Sequence, residues 1–177
     1  MKRYSKATVF CVGFAVPGLW VSLLAAQQPS QTPPAPVPAQ ILTAKKVFVA
    51  NGGVDQPGTY FSGGPDRAYK DFYAALKTWG RYELVGAPSD ADLLFEIGLS
   101  GRVETGATVS YLDARFRLAI RDAKTNAALW TLHEQVEEAA RQGNRDKNFD
   151  QALARIVSDV KALTAPSSAP AGGPSRE

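Results

Sequence analysis

Cysteine and histidine are almost missing from this chain, and each scarcity removes a class of chemistry. The one cysteine, Cys11, sits inside the first apolar run, and His133 is the one histidine. If the leader is removed, the mature chain has no cysteine. Disulfides, thiolate catalysis and cysteine-ligated zinc are then excluded together. A lone imidazole cannot form a histidine metal site, and a general base needs partners arranged around it. Also missing are GxGxxG order, a GK[ST] triplet and a G-x-S-x-G frame, so no nucleotide loop or nucleophile elbow can be read. No cofactor and no catalytic residue is expected.

The first 26 residues contain no acid. Lys2, Arg3 and Lys6 precede the uncharged apolar run from Ala7 to Leu24, and Leu24-Ala25-Ala26 offers small residues for cleavage before Gln27. This is the pattern of a secretory signal over 1–26, with a retained anchor as the alternative reading. Cys11 lies within the apolar run rather than after it, which argues against lipidation. The whole chain has 20 Lys+Arg against 17 Asp+Glu, a net charge of +3. The three cations of the leader account for that excess. A near-neutral mature protein gives no reason to expect nucleic acid as a partner, or stable membrane insertion. The expected location is periplasmic or secreted.

Pro/Gln-rich residues 27–40 read as an extended linker, and 165–177 as a disordered tail. Residues 41–164 are enough for one domain with one core. Lys46 to Ala50 reads as a buried strand stopped by Asn51-Gly52-Gly53, and Val54 to Pro65 as a long Gly/Pro-rich loop. Asp66 is placed to cap a helix carrying Phe72, Ala75, Leu76 and Trp79, with Gly80 as its stop. Tyr82 to Val85 is a second strand. Period-two alternation over Asp92–Ser100 and Leu112–Arg121 predicts strands with one apolar face. Asp122 to Asn126 is turn chemistry, and Trp130, Leu132 and Val136 lie on the returning strand. Phe149, Leu153, Ile156, Val157, Val160 and Leu163 form the stripe of a closing helix, with Asn148 and Gln151 as its capping pair. The expected fold is α+β: a two-layer sandwich whose mixed, mostly antiparallel sheet of about five strands carries two helices on one face.

Four segments carry a resemblance: KKVFVAN (Lys45–Asn51), RYELV (Arg81–Val85), SDADLLFEI (Ser89–Ile97) and LAIRDAKTNAALW (Leu118–Trp130). They resemble a group of bacterial exported domains, many of unknown function, which is itself similar to the amino-terminal domain of the periplasmic protein TolB. Asn126 stands where that pattern usually has glycine, a mild departure because asparagine tolerates the left-handed conformation. The resemblance implies a small non-catalytic envelope module and brings no active-site residues with it.

The remaining candidates are surface features. Asp90, Asp92 and Glu96 lack the spaced acids of a calcium loop and read as a cap and the start of a strand. Ser62 beside Gly63-Gly64 lacks the setting of a nucleophile. Arg115, Arg117 and Arg121 share one side of a strand and form a candidate partner-binding face with His133. The plainer reading pairs these arginines with Glu96, Glu134 and Glu137. Three functions stay open: an envelope interaction module whose partner is another envelope protein, a small periplasmic hydrolase with a pocket under the 54–65 loop, and a homo-oligomer joined through edge strands.

Overall fold

A computed structural model describes residues 35–55, 60–105 and 110–165. The expected leader over 1–26 and the tail beyond Ala165 lie outside the described residues. Val37, near the end of the expected linker, already packs against the core, and a short helix α1 (Ala39–Thr43) buries Ile41 completely.

From α1 the chain passes through β1 (Lys46–Val54), α2 (Arg67–Trp79), β2 (Glu83–Leu84) and a 3-10 turn at Pro88–Asp90. It continues through β3 (Leu93–Thr105), β4 (Ser110–Asp122), β5 (Ala128–Val136) and α3 (Gln142–Leu163). The strands form one open sheet in the order β2-β1-β3-β4-β5, and β1 runs parallel to both β2 and β3. The β3–β4 and β4–β5 pairs are antiparallel. The fold is thus the α+β arrangement expected, a five-stranded mixed sheet with α2 and α3 packed on one side.

Alternation decides which side that is. Leu93, Phe95, Ile97 and Leu99 of β3 and Ala114, Phe116, Leu118 and Ile120 of β4 are all buried. Against them lie Phe72 and Leu76 of α2 and Phe149, Ile156 and Val160 of α3. Phe72 meets Phe95 and Phe149 meets Phe116, so both helices press on the same layer.

Several boundaries differ from expectation, each for a local reason. β1 does not stop at Asn51 but runs on to Val54 through a break in register. Gly52 permits this, because a Cβ there would sit 3.0 Å from the Ile97 carbonyl oxygen. Asp66 precedes α2 without a side-chain cap, its carboxylate instead accepting a hydrogen bond from the Asn51 amide at 2.9 Å. Gly80 ends α2 in the left-handed conformation, as its position implies. α3 starts at Gln142, six residues before Asn148, so the Asn148–Gln151 pair is interior to the helix and does not cap it. Asn148 donates to the Glu137 carbonyl oxygen instead. Asn126 adopts φ 59° in the β4–β5 turn. The Asp122 carboxylate holds that turn by accepting from the N–H groups of Lys124 and Thr125 and from the Thr125 hydroxyl.

β3 and β4 outrun their neighbours. β1 last pairs at Leu99 and β5 at Ala114, so beyond these residues the two strands pair, among the described residues, only with each other. Val103 on this two-stranded stretch is 58% exposed.

Candidate functional site

Residues on the side of the sheet away from the helices align in register across the strands. Gly98, Arg117 and His133 form one row, Glu96, Ala119 and Thr131 the next, and Ser100, Arg115 and Gln135 a third. Phe48, Leu94 and Arg121 make a fourth row at the other end. The structure therefore brings Arg115, Arg117, Arg121 and His133 onto one face, with Arg117 and His133 directly opposite each other. Among the described residues no helix packs there.

The three arginines are not equivalent. Arg121 Nε lies 3.4 Å from Glu96 Oε2, near enough for an ion pair but not aligned as a hydrogen bond. Arg115 pairs with Asp113 of its own strand, Nη2 to Oδ2 at 2.9 Å, and Asp113 also accepts from Gln135. Arg117 is exposed and has no acidic partner among the described residues. The pairing of Arg121 with Glu96 agrees with the plainer reading of the sequence. The expected pairing of these arginines with Glu134 does not form, because Glu134 lies opposite Phe116 on the helix side and binds Arg155 of α3. Glycines and Ser100 keep the floor beside Arg117 low, and Asp55 and Glu96 rim it.

Of the acids singled out in the sequence, Glu96 pairs with Arg121, Asp90 accepts from the Ser89 hydroxyl, and Asp92 anchors backbone. Asp92 Oδ2 accepts from the N–H groups of Lys45 and Lys46, both at 2.9 Å, which ties the start of β1 to β3. Those two hydrogen bonds hold its carboxyl below the ordinary value. Among the described residues no group of three or more His, Asp, Glu or Cys side chains is placed to hold a metal ion.

A second polar constellation was not legible in the sequence. Arg67, at the start of α2, reaches Asp71 at 3.3 Å, Asp146 at 3.0 Å and Asp150 at 2.6 Å, and its guanidinium lies 4.3 Å from the Phe149 ring centre. Asp146 accepts from the Ser62 N–H at 2.8 Å and from the Ser62 hydroxyl at 2.7 Å, while Gln142 donates to the Tyr60 carbonyl oxygen. Burial favours the neutral form of Asp146, but the bonds from Ser62, Gln142 and Arg67 outweigh it and bring the pKa to about 2. This cluster fastens the end of the 54–65 loop to both helices. Beneath the loop lies an apolar cleft whose walls include Val54, Phe61, Leu99, Leu112 and Phe149. The only sequence signals were the i,i+4 spacings of Arg67 with Asp71 and of Asp146 with Asp150. Neither spacing says that the two helices meet.

No family pattern matches the chain, and no curated protein matches it. Solved structures are similar at low identity. A hypothetical protein from Chlamydia trachomatis has 12% identity and a TM-score of 0.45, covering 68% of this chain and 98% of its own. A dodecameric PelC from Paraburkholderia phytofirmans has 16% identity and a TM-score of 0.44, covering 72% and 92%. The lipoprotein GNA1162 from Neisseria meningitidis has 12% identity and a TM-score of 0.39, covering 64% and 99%. Likeness at this level carries no argument about activity, and the resemblance to TolB rests on the four sequence segments alone.

Proposed function

We propose that this chain is an exported, non-catalytic interaction module of the bacterial envelope, periplasmic or secreted, which holds an acidic segment of another envelope protein against its open sheet face. One observation carries the reading. Among the described residues Arg117 stands exposed at the centre of that face without an acidic partner, while the arginines on either side of it are paired. A planar guanidinium with free donors is suited to bidentate contact with a carboxylate. Arg115, Arg121 and His133 then frame the contact.

The hydrolase reading finds a cleft under the 54–65 loop but no chemistry to go with it among the described residues. The Ser62 hydroxyl donates to a carboxylate whose low pKa makes it a poor base. His133 is on the opposite side of the sheet.

Cross-linking in intact envelopes, followed by recovery of the chain, tests the proposal. Arg117→Glu should lower capture of the partner at least tenfold and leave the melting temperature nearly unchanged, since surface substitutions stay within about 0.5 kcal/mol. A glutamate-rich peptide should compete for the wild-type face and a lysine-rich one should not. Capture that survives Arg117→Glu overturns the reading.

A further inference from the structure

We infer that His133 grips the partner's carboxylate together with Arg117, and does so as an imidazolium. Binding at the open face then takes up a proton, and the affinity for an acidic segment rises as pH falls. This coupling rests on the role proposed for Arg117 and regulates the same contact. Arg117 and His133 are paired directly across β4 and β5, and both are exposed. Side chains so placed have Cβ atoms about 4.5–5.5 Å apart, so one carboxylate is within reach of both.

Among the described residues, the surroundings of His133 supply no acid for it. From β4 it faces Arg117 directly, with Arg115 and Ala119 on the diagonals, and β3 adds uncharged Gly98 to the row. Thr131 and Gln135, its neighbours on the same side of β5, carry no charge. Of the acids on this side, Asp113 is engaged by Arg115 and Gln135, and Glu96 by Arg121. Asp55 rims the hollow on the far side of Arg117, just beyond β1 and three strands away from β5. Glu134 is turned to the helix side and bound by Arg155. β5 is the last strand of the sheet, and no described element packs against this side of it.

On the empty face an imidazolium opposite a guanidinium is a like-charge pair, which is unfavourable across strands. A carboxylate seated between the two reverses the sign, because each cation then faces an anion and donates to it. Protonated imidazole donates from both ring nitrogens, whereas the neutral ring keeps one of them as an acceptor. Binding and protonation therefore favour each other, and the coupling is reciprocal. Imidazole changes charge between about pH 5 and 8, so the affinity should change over that range. At a permittivity near that of water, one added charge about 6 Å from the carboxylate raises affinity about threefold.

Because His133 is the one histidine, a pH dependence near neutrality can be traced to a single side chain. The probe is a poly-aspartate peptide blocked at both ends, titrated into the full chain by calorimetry at one low ionic strength. Its carboxylates titrate near pH 3.9 and stay ionised at both about pH 5.5 and about pH 8. Wild-type affinity should be about threefold higher at the lower pH, and buffers of different ionisation enthalpy should reveal proton uptake on binding. His133→Gln should bind with one affinity at both pH values. His133→Lys should also be independent of pH, and about threefold tighter than His133→Gln. Arg117→Glu should abolish binding at both. Equal wild-type affinities at the two pH values, in a protein that still needs Arg117, overturn the coupling and leave the role of Arg117 standing. An acid gain that survives His133→Gln does the same. A peptide that fails to bind, or that binds Arg117→Glu as well as wild type, overturns both.

Discussion

Arg67 shows how much one side chain can organise. Its guanidinium serves three carboxylates and the Ser62 carbonyl oxygen while stacking on Phe149, and only 16% of the side chain is exposed. Arg67→Met keeps part of the apolar contact and removes every charged hydrogen bond. It should cost about 1.5–3 kcal/mol, the range for bonds to charged groups, and chemical denaturation would measure it. Asp146 adds a dependence on pH. Its folded pKa of about 2 lies below the value near 3.9 of an unfolded aspartate, so the carboxylate stabilises the fold at pH values above about 4. That contribution is lost as pH falls from about 4 towards 2. Asp92 and Asp122 are shifted the same way by their backbone hydrogen bonds and share this acid limb. Melting temperatures between pH 2 and pH 6 should therefore fall less steeply in Asp146→Asn than in the wild type, starting from a lower value at neutral pH. Parallel curves would show that Asp146 is not tuned by the cluster.

At the scale of elements, strand faces were legible and helix starts were not. Alternation in β3 and β4 correctly separated the core residues from the arginines, because a period of two leaves one choice of buried side. It also placed Trp130 on the helix side and His133 on the open side. Trp130 is nevertheless half-buried, since it sits on an edge strand with a neighbour on one side only. Trp130→Ala should cost about 2 kcal/mol, less than the 3–5 kcal/mol of a fully enclosed aromatic. His133→Ala should stay within about 0.5 kcal/mol. Comparable losses from the two substitutions would mean that β5 is shifted by one residue. The start of α3 was misplaced because Gln142–Lys147 is polar and carries no stripe. What holds that first turn is tertiary, with Gln142 and Asp146 bonded to the 60–62 backbone and to Ser62.

At the scale of the whole molecule, the reading of 1–26 as a leader makes a direct prediction. Intact mass of the exported protein should show loss of about the first 26 residues, and a full-length species that requires detergent would make the segment an anchor. Among the described residues no helix is long and apolar enough to cross a membrane. The sequence by itself determined the fold class, the one-sided sheet and the absence of cysteine from the domain, because periodicity and composition are local quantities. It also put three arginines and a histidine on one side of the sheet. Only the tertiary structure decided which arginine is free. That depends on which carboxylates come within ion-pair distance: Glu96 reaches Arg121 and Asp113 reaches Arg115, while among the described residues none pairs with Arg117, although Asp55 and Glu96 rim the hollow beside it. Nor could the sequence join Arg67 to Asp146 and Asp150, which lie some eighty residues further along the chain. The packing of two helices on one sheet brings them within bonding distance, and no local pattern records that contact.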